Sequence, residues 1–270
     1  MLGHNKGPRR RGTRRPEHKN RRALESSRND GPIQSRTAIR SVGSLPYCSP
    51  PPSLQVSGVV SNRGAGICDG VGYGFGVQSG SLATPAVPAY TTPGQQTWFA
   101  YNAGTFANGR RESWTPQLYY SVGPVGLLGE WTNTAQVFTR GANTQTVSNT
   151  AWQVQLAWVL TGEDASYLGV TPSQNFSLKG GHWGSLTLVS RVSQLKIDSD
   201  AFVGTPATQL ANPNTQPGKA TDYGIGLSWG LSREVSIYFT YDQTKFDGGA
   251  PNGNNRPDEK VLITRFQYAL

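Results

Sequence analysis

Regular alternation of apolar and polar residues is the main pattern of the chain from residue 70 onward. In the closing stretch Lys260–Leu270, the side chains of Phe266, Tyr268 and Leu270 fall on one face and that of Gln267 on the other. A period of two residues is that of a β-strand and not of a helix. Nine such stretches, separated by turn residues, predict nine strands. They are Gly70–Val77, Gln96–Ala103, Ser113–Val122, Val125–Phe138, Thr150–Leu160, Trp183–Ile197, Tyr223–Leu231, Val235–Phe246 and Lys260–Leu270.

The two faces of these strands differ in a way that suits a membrane. The polar face is rich in Gln, Ser, Gly, Thr, Asp and Arg, and aromatic residues lie near the strand ends of the apolar face. Strands of about ten residues are typical of a tilted membrane barrel, whereas sandwich strands average about 5–6. The pattern therefore predicts an all-β fold, an antiparallel transmembrane β-barrel without long helices. A soluble β-sandwich, which also alternates, is the alternative.

The connections between the strands differ in length. Gly123-Pro124 and Ser232-Arg233 are tight turns, of the kind that barrels place on the periplasmic side. The connection 161–182 falls on the same side and is unusually long for it. Four longer polar segments are predicted to be outer loops: 104–112, 139–149, 198–222 and 247–259.

The basic charge of the chain is concentrated at its start. Residues 1–42 hold 12 Lys and Arg against 3 Asp and Glu, which accounts for the whole net charge of +9. Little apolar sequence is available there to bury, so a disordered, dispensable tail is predicted. We interpret it as sequence upstream of the true start, or as a sign of a fragment, with an arginine-rich nucleic-acid arm as the alternative. No secretory signal is visible, since no apolar core follows the basic residues.

Residues 43–69 are rich in Ser, Pro and Gly and are predicted to be a linker before the barrel portion, residues 70–270. One short apolar run, Leu54–Val60, is a candidate edge strand. Two cysteines, Cys48 and Cys68, do not make a disulfide framework, and no role is predicted for them.

No set of residues suggests catalysis or metal binding. The three histidines are scattered, and neither a Ser/His/Asp set nor a Cys/His spacing occurs. The paired acids Glu163-Asp164 and Asp258-Glu259 lie at predicted loops, where solvated charge is the simpler interpretation. The sequence therefore predicts a protein that is not an enzyme and holds no metal or cofactor.

Long strings from about Gly70 to Leu270 resemble the phosphate-selective porin O and P family. They include TPGQQTWFAY from Thr92, ANGRRESWTPQLYYSVGPVGLLGEW from Ala107, AWQVQLAWVLTGEDASYLGVTP from Ala151, GGHWGSLTLVSRVSQLKID from Gly180, SREVSIYFTYDQTKFDGGA from Ser232 and the closing ITRFQYAL. The resemblance implies an outer-membrane porin of a Gram-negative bacterium. In that family the porin is a trimer of sixteen-stranded barrels that passes anions such as phosphate and polyphosphate.

Only the C-terminal part of such a barrel is present, with nine or ten strands, and the inward-folded loop that narrows the family's pore belongs to the absent half. We therefore expect an open, curved sheet with edges at the Gly70 and Leu270 strands, and no normal pore from this chain alone. The expected partners are outer-membrane lipid, small inorganic anions and, as in the family, further copies in a homotrimer. No nucleic-acid partner is expected.

Two arginines are predicted to line the pore, because basic side chains that face a lumen select anions. By alternation, Arg191 shares its face with Thr187 and Ser193, and Arg265 shares its face with Gln267. Both arginines are therefore predicted to point inward.

Three further basic residues, Arg110, Arg111 and Lys245, are predicted to lie near the outer mouth and to attract anions. The alternative is that a lumen arginine pairs with an acid such as Glu130 or Asp242. The predicted function is passive diffusion of small anions through an outer-membrane porin, of which this chain is a fragment. Two other functions remain open: a structural or adhesive β-sheet protein, and nucleic-acid binding through the basic tail.

Overall fold

The computed structural model describes residues 53–60, 70–167 and 169–269, with the backbone alone for 53–60. Within these residues the chain forms eleven strands and two 3-10 turns, at Ser199–Phe202 and Pro251–Gly253. No helix in this part of the chain is long and apolar enough to cross a membrane. The strands are β1 (Ser53–Val60), β2 (Val71–Thr84), β3 (Ala89–Thr91), β4 (Thr97–Ala100), β5 (Phe106–Val122), β6 (Val125–Arg140), β7 (Asn143–Val159), β8 (Ser185–Lys196), β9 (Pro217–Gly230), β10 (Val235–Gly248) and β11 (Glu259–Tyr268).

Nine of the strands form one antiparallel sheet in the order β1-β2-β5-β6-β7-β8-β9-β10-β11. Within the described residues β1 and β11 each have a single neighbour, so the sheet is open. The predicted all-β, antiparallel fold is confirmed, and so is the edge at the closing strand. The other predicted edge is wrong, because the candidate strand Leu54–Val60 belongs to β1, which pairs with β2 and makes the Gly70 strand interior. The tail predicted over residues 1–42 lies outside the described residues, as do Cys48 and Cys68.

The predicted strand Gln96–Ala103 is wrong as a member of this sheet. Its centre is β4, which pairs with β3 in a separate two-stranded sheet. Trp98 and Phe99 are adjacent in sequence, yet they are 3% and 0% exposed. In a strand with one face toward lipid and one toward water, the side chains of two adjacent residues point to opposite faces, so Trp98 and Phe99 could not both be buried. The polar residues on either side of them only resemble the alternation of a membrane strand.

Strands β5, β6 and β7 are longer than predicted and take up the supposed loops 104–112 and 139–149. β6 and β7 are joined by a two-residue turn at Gly141, whose φ is +59°. The extension was missed because both faces are polar at this end of the strands, as at Thr144 and Gln145. We name this the upper end of the sheet, and the end at the Gly123 turn the lower end.

Large side chains on the apolar face of the sheet are exposed in the described part of the chain. Val154, Leu156 and Trp158 are 45%, 45% and 51% exposed. Trp114 and Trp131, whose ring centroids lie 4.3 Å apart, border the apolar zone toward the upper end. A sandwich would bury such a face under a second sheet, whereas a membrane barrel presents it to lipid.

The connection between β2 and β5, residues 85–105, folds over the polar face, and we name it the inner hairpin because it contains β3 and β4. Its turn reaches the far edge of the sheet, where Thr92 Oγ1 donates to Glu259 Oε1 over 2.8 Å. Arg256 Nη1 donates to the carbonyl oxygen of Thr97 over 3.3 Å. The inner hairpin thus starts at the end of β2 and contacts β11, which are far apart in the strand order of the sheet. The sheet must therefore curve, with its polar face on the inside. The expectation that an inward-folded loop belongs to the absent half is thus incomplete, since this chain has an inward-folded connection of its own.

The core lies between the inner hairpin and the upper end of the polar face. Phe99 packs edge-on against Tyr101, with ring centroids 5.1 Å apart, and Tyr101 packs against Phe138 at 4.5 Å. The loop that joins β8 to β9 closes the cluster from above. The buried members are Trp98, Phe99, Tyr101, Ala107, Phe138, Val147, Ile197, Ala201, Leu210, Ala211, Ala220 and Phe246.

Candidate pore-lining face

Below the inner hairpin, the polar face carries carboxylates that are held by hydrogen bonds. Glu130 accepts from Gln153 Nε2 over 2.8 Å and from Gln117 Nε2 over 3.2 Å. Glu130 as a whole is 9% exposed. A carboxylate removed from water is stable only when its oxygens are hydrogen-bonded, and the amides on the two neighbouring strands provide those bonds.

Arg191 lies on the same face and contacts two carboxylates at once. Its Nη2 donates to Asp222 Oδ2 over 3.1 Å and to Asp242 Oδ1 over 3.2 Å. Asp222 also accepts from Thr244 Oγ1 over 2.9 Å. Two carboxylates and one guanidinium leave the group with a net negative charge. We name Arg191, Asp222 and Asp242 the arginine clamp.

Gly224 makes the arginine clamp possible. It lies between Arg191 and Asp242 in the register of β8, β9 and β10. A Cβ at position 224 would clash with Asp242 Oδ1 and would lie 3.8 Å from Arg191 Nε. Because glycine has no side chain, Arg191 crosses β9 along the sheet surface and reaches a carboxylate two strands away.

Arg265 lies on the same face at the edge strand β11. Its guanidinium carbon is 4.2 Å from the ring centroid of Tyr238, the residue that it opposes across the β10–β11 ladder. Among the described residues no carboxylate forms an ion pair with it. The ring orients the guanidinium, and its N–H groups remain available to a solute.

Arg111 is on the polar face too, but at the upper end, behind the inner hairpin. Its Nε is buried and has no hydrogen-bond partner in the described part of the chain. Burial raises the pKa of the Tyr90 phenol in the inner hairpin, although Asn149 and the positive charge of Arg111 act to lower it. Arg111 is therefore a neighbour of the packed core.

Arg110 and Lys245 do not line the polar face. Arg110 forms an ion pair with Glu112 on the face that also carries Trp114. The Lys245 ammonium lies 5.9 Å from the ring centroid of Tyr223, on the apolar face as well. Alternation within each strand places both side chains on the apolar face near the upper end of the sheet. Their role in attracting anions at the outer mouth stays a prediction.

A cavity of about 610 Å³ occupies the polar face below the inner hairpin. Arg191, Arg265 and Asp242 line it, so the fold brings both inward-facing arginines to one space. The long connection between β7 and β8 closes its lower side, where the Tyr167 ring packs against Tyr119 with centroids 5.5 Å apart. The sequence predicted that this connection is unusually long for the periplasmic side. Its length is explained by its path, which turns inward to line the cavity.

Glu163 holds this long connection in shape. Its Oε1 accepts from the backbone N–H of Ser173 over 3.0 Å and from the Ser173 hydroxyl over 3.1 Å, and its other oxygen accepts from Thr161. Burial acts to raise the pKa of the Glu163 carboxyl, but these hydrogen bonds outweigh it and lower the pKa below its usual value. The carboxylate is thus a fixed acceptor at neutral pH.

Sequence reasoning found the two inward-facing arginines but missed Asp222 and Gly224. A signal existed, because the polar-face positions of β9 next to Arg191 are the glycines 224 and 226. A glycine beside an arginine on one face leaves room for the arginine to lie across the strand. Within the described residues no group of three His, Cys, Asp or Glu side chains is placed to hold a metal ion.

A comparison with known protein families matches residues 92–270 to phosphate-selective porin O and P. The match runs from the inner hairpin to the closing strand and so includes the cavity and all five basic residues predicted to contact anions. No curated protein matches the chain.

Proposed function

Because the chain belongs to the phosphate-selective porin O and P family, we propose that its polar face lines a pore for small inorganic anions in the outer membrane of a Gram-negative bacterium. The family is one of channels and not of enzymes, so the solute passes by diffusion. The observation that carries the proposal is Arg265, which faces the cavity without a carboxylate partner among the described residues. A guanidinium in that state offers paired N–H donors to an oxyanion.

The inner hairpin narrows this pore. Its turn is anchored to β11 through Thr92 and Glu259, and its aromatic residues fill the upper part of the space inside the sheet. An anion that enters from the upper end must pass the hairpin before it reaches Arg265. The hairpin therefore limits the size of the solute, and Arg265 acts on its charge.

The open sheet supports the proposal that this chain supplies only part of a barrel. All neighbouring strands are antiparallel, so β1 and β11, the first and last in the sheet order, run in the same direction. A closed barrel of antiparallel strands then needs an odd number of further strands between them. Seven would complete the sixteen that the family resemblance implies, and three such barrels would make its trimer.

Binding of inorganic phosphate tests the proposed anion site. The full chain is folded into detergent micelles, heat-modifiable migration checks its fold, and phosphate is titrated by calorimetry. Arg265→Gln is expected to weaken binding by about tenfold, the loss of one charge-assisted contact. Lys245→Gln is the matched control: it removes the same charge from the apolar face and should change the Kd by less than about twofold.

An equal loss of affinity in both variants would mean that net charge alone attracts the anion and that Arg265 is no contact. A folded wild-type chain that binds no phosphate would reject the anion pore on this face.

Planar bilayers test the proposal that the chain is incomplete. The 270-residue chain alone is expected to give no long-lived conductance steps. The reason is that an open edge in hydrocarbon leaves backbone N–H and C=O groups unpaired, each at a cost of several kcal/mol. Discrete, long-lived single-channel steps from the purified chain would contradict this.

A further inference from the structure

We propose that Asp222 and Asp242 set the anion preference of the pore by holding Arg191 out of reach of the solute. The two acids decide whether the Arg191 guanidinium is free: with both acids in place it is held on the wall, whereas Arg265 has no carboxylate partner among the described residues. The inference rests on the proposed function for the chemical class of the solute, an inorganic oxyanion.

The geometry of the arginine clamp directs the guanidinium along the wall. Arg191 starts on β8 and its Nη2 meets a carboxylate of β10 at 3.2 Å, which requires the side chain to span the width of β9. The same nitrogen meets Asp222 of β9 at 3.1 Å. Charge-assisted contacts to two carboxylates are stronger than one contact to a passing, hydrated anion, so Arg191 stays on the wall.

Burial shows which partners are fixed. The side chains of Asp242 and Asp222 are 2% and 10% exposed, while that of Arg191 is 30% exposed. Thr244 Oγ1 holds Asp222 from a third side. The acids are thus embedded in the wall, and the arginine is the member of the clamp with room to turn toward the cavity.

The second feature that supports the inference is the space above Gly224. A Cβ there would clash with Asp242, so the glycine keeps the carboxylate in the position that captures Arg191. An arginine that served as an anion contact would need no such gap, because it would project away from the sheet. The register of β8, β9 and β10 therefore leaves space over Gly224 in which the captured guanidinium lies.

Glu130 provides a matched control on the same face. Its carboxylate is held by the Gln117 and Gln153 amides, and it forms no ion pair with Arg191. Glu130→Gln removes one negative charge from the polar face without releasing an arginine. A comparison of Glu130→Gln with the clamp variants separates the release of Arg191 from a general change of charge.

The test is phosphate titration of folded full-length variants. The double variant Asp222→Asn/Asp242→Asn is expected to bind inorganic phosphate about tenfold more tightly than the wild type, because the Arg191 guanidinium becomes available. Glu130→Gln should change the Kd by less than about threefold. Adding Arg191→Gln to the double variant should remove the gain. A double variant that binds no better than Glu130→Gln overturns the inference.

Arg191→Gln in the wild-type background is an independent arm that does not depend on the double variant being folded. A captured Arg191 makes no contact with the anion, so this variant should weaken phosphate binding less than Arg265→Gln does, through the loss of its charge beside the cavity alone. If Arg191→Gln weakens binding as much as Arg265→Gln does, Arg191 already contacts the anion and the inference is wrong.

The two proposals fail in different ways. If the anion pore is wrong, the wild-type chain will have no affinity for phosphate. If the double variant alone then binds phosphate, that result still supports the capture of Arg191. Phosphate binding by the wild type, with Arg191→Gln and Arg265→Gln equally impaired, would keep the pore and reject the capture.

Discussion

The upper and lower parts of the polar face belong to the same strands but are used differently. At the upper end Phe138, Val147 and Phe246 are buried under the inner hairpin and form a core. At the lower end Arg191, Asp242 and Arg265 line a cavity. The same inward positions of one sheet are therefore packed at one end and wet at the other. Alternation tells which face a residue takes, but the element that covers the face decides whether it becomes core or pore.

The upper end of the polar face is therefore expected to determine the stability of the fold, and the lower end its selectivity for solutes. Aromatic contacts hold the inner hairpin in place at the upper end, while below it Arg265 faces the cavity without a carboxylate partner among the described residues. Substitutions at the two ends should therefore affect different measurements, and three predictions test that separation.

The largest effect is expected from Phe99→Ala. Phe99 is fully buried and contacts four other aromatic rings, so its loss should lower the free energy of unfolding by about 3–5 kcal/mol. Urea titration of the folded chain in detergent measures this. Gln155→Ala, which shortens a side chain that lines the lower cavity, is the control and should stay within about 0.5 kcal/mol. Equal effects would mean that the two ends do not differ in packing.

A smaller effect is expected from Thr92→Val, which keeps the shape of the side chain but removes the hydrogen bond to Glu259. The Glu259 carboxylate then loses its donor, so the free energy of unfolding should fall by about 1.5–3 kcal/mol. Thr146→Val, on the exposed face of β7, is the control and should leave it unchanged within about 0.5 kcal/mol. If Thr92→Val has no effect, the turn of the inner hairpin does not need its anchor on β11.

The smallest effect on stability, about 1 kcal/mol, is expected from Gly224→Ala, because the flexible end of Asp242 can move aside. The displaced carboxylate gives up one of the two contacts that hold Arg191, while Asp222 keeps the other. Phosphate binding should therefore tighten, but by less than in the double variant, while stability changes little. Gly129→Ala is the control, since a Cβ there meets no atom within 4 Å. A Gly224→Ala variant that loses stability without gaining phosphate affinity would show that the glycine serves packing alone.

Much of the fold was predictable because each strand of the lower half alternates cleanly. The apolar face was predicted from the alternation of Trp152 to Trp158 and of Phe266 and Tyr268. The same alternation placed Arg191 and Arg265 on the polar face, where they line the cavity. The inner hairpin was not predictable, because Trp98 and Phe99 are buried by residues distant in sequence. The pairing of a lumen arginine with Asp242 was the alternative interpretation, and Arg191 makes that contact. Asp222 was missed, because the three members of the arginine clamp lie on three strands and meet only through the register.

The contact between Thr92 and Glu259 also bears on how the protein assembles. Along the described sheet each strand is followed in sequence by its neighbour, apart from the inner hairpin that is inserted between β2 and β5. Such a meander can grow by adding one strand at a time, with mostly local contacts. Thr92 and Glu259 are 167 residues apart, so their bond cannot form until the closing strand has arrived. The bond that anchors the inner hairpin to β11 therefore depends on the arrival of the closing strand and cannot form earlier.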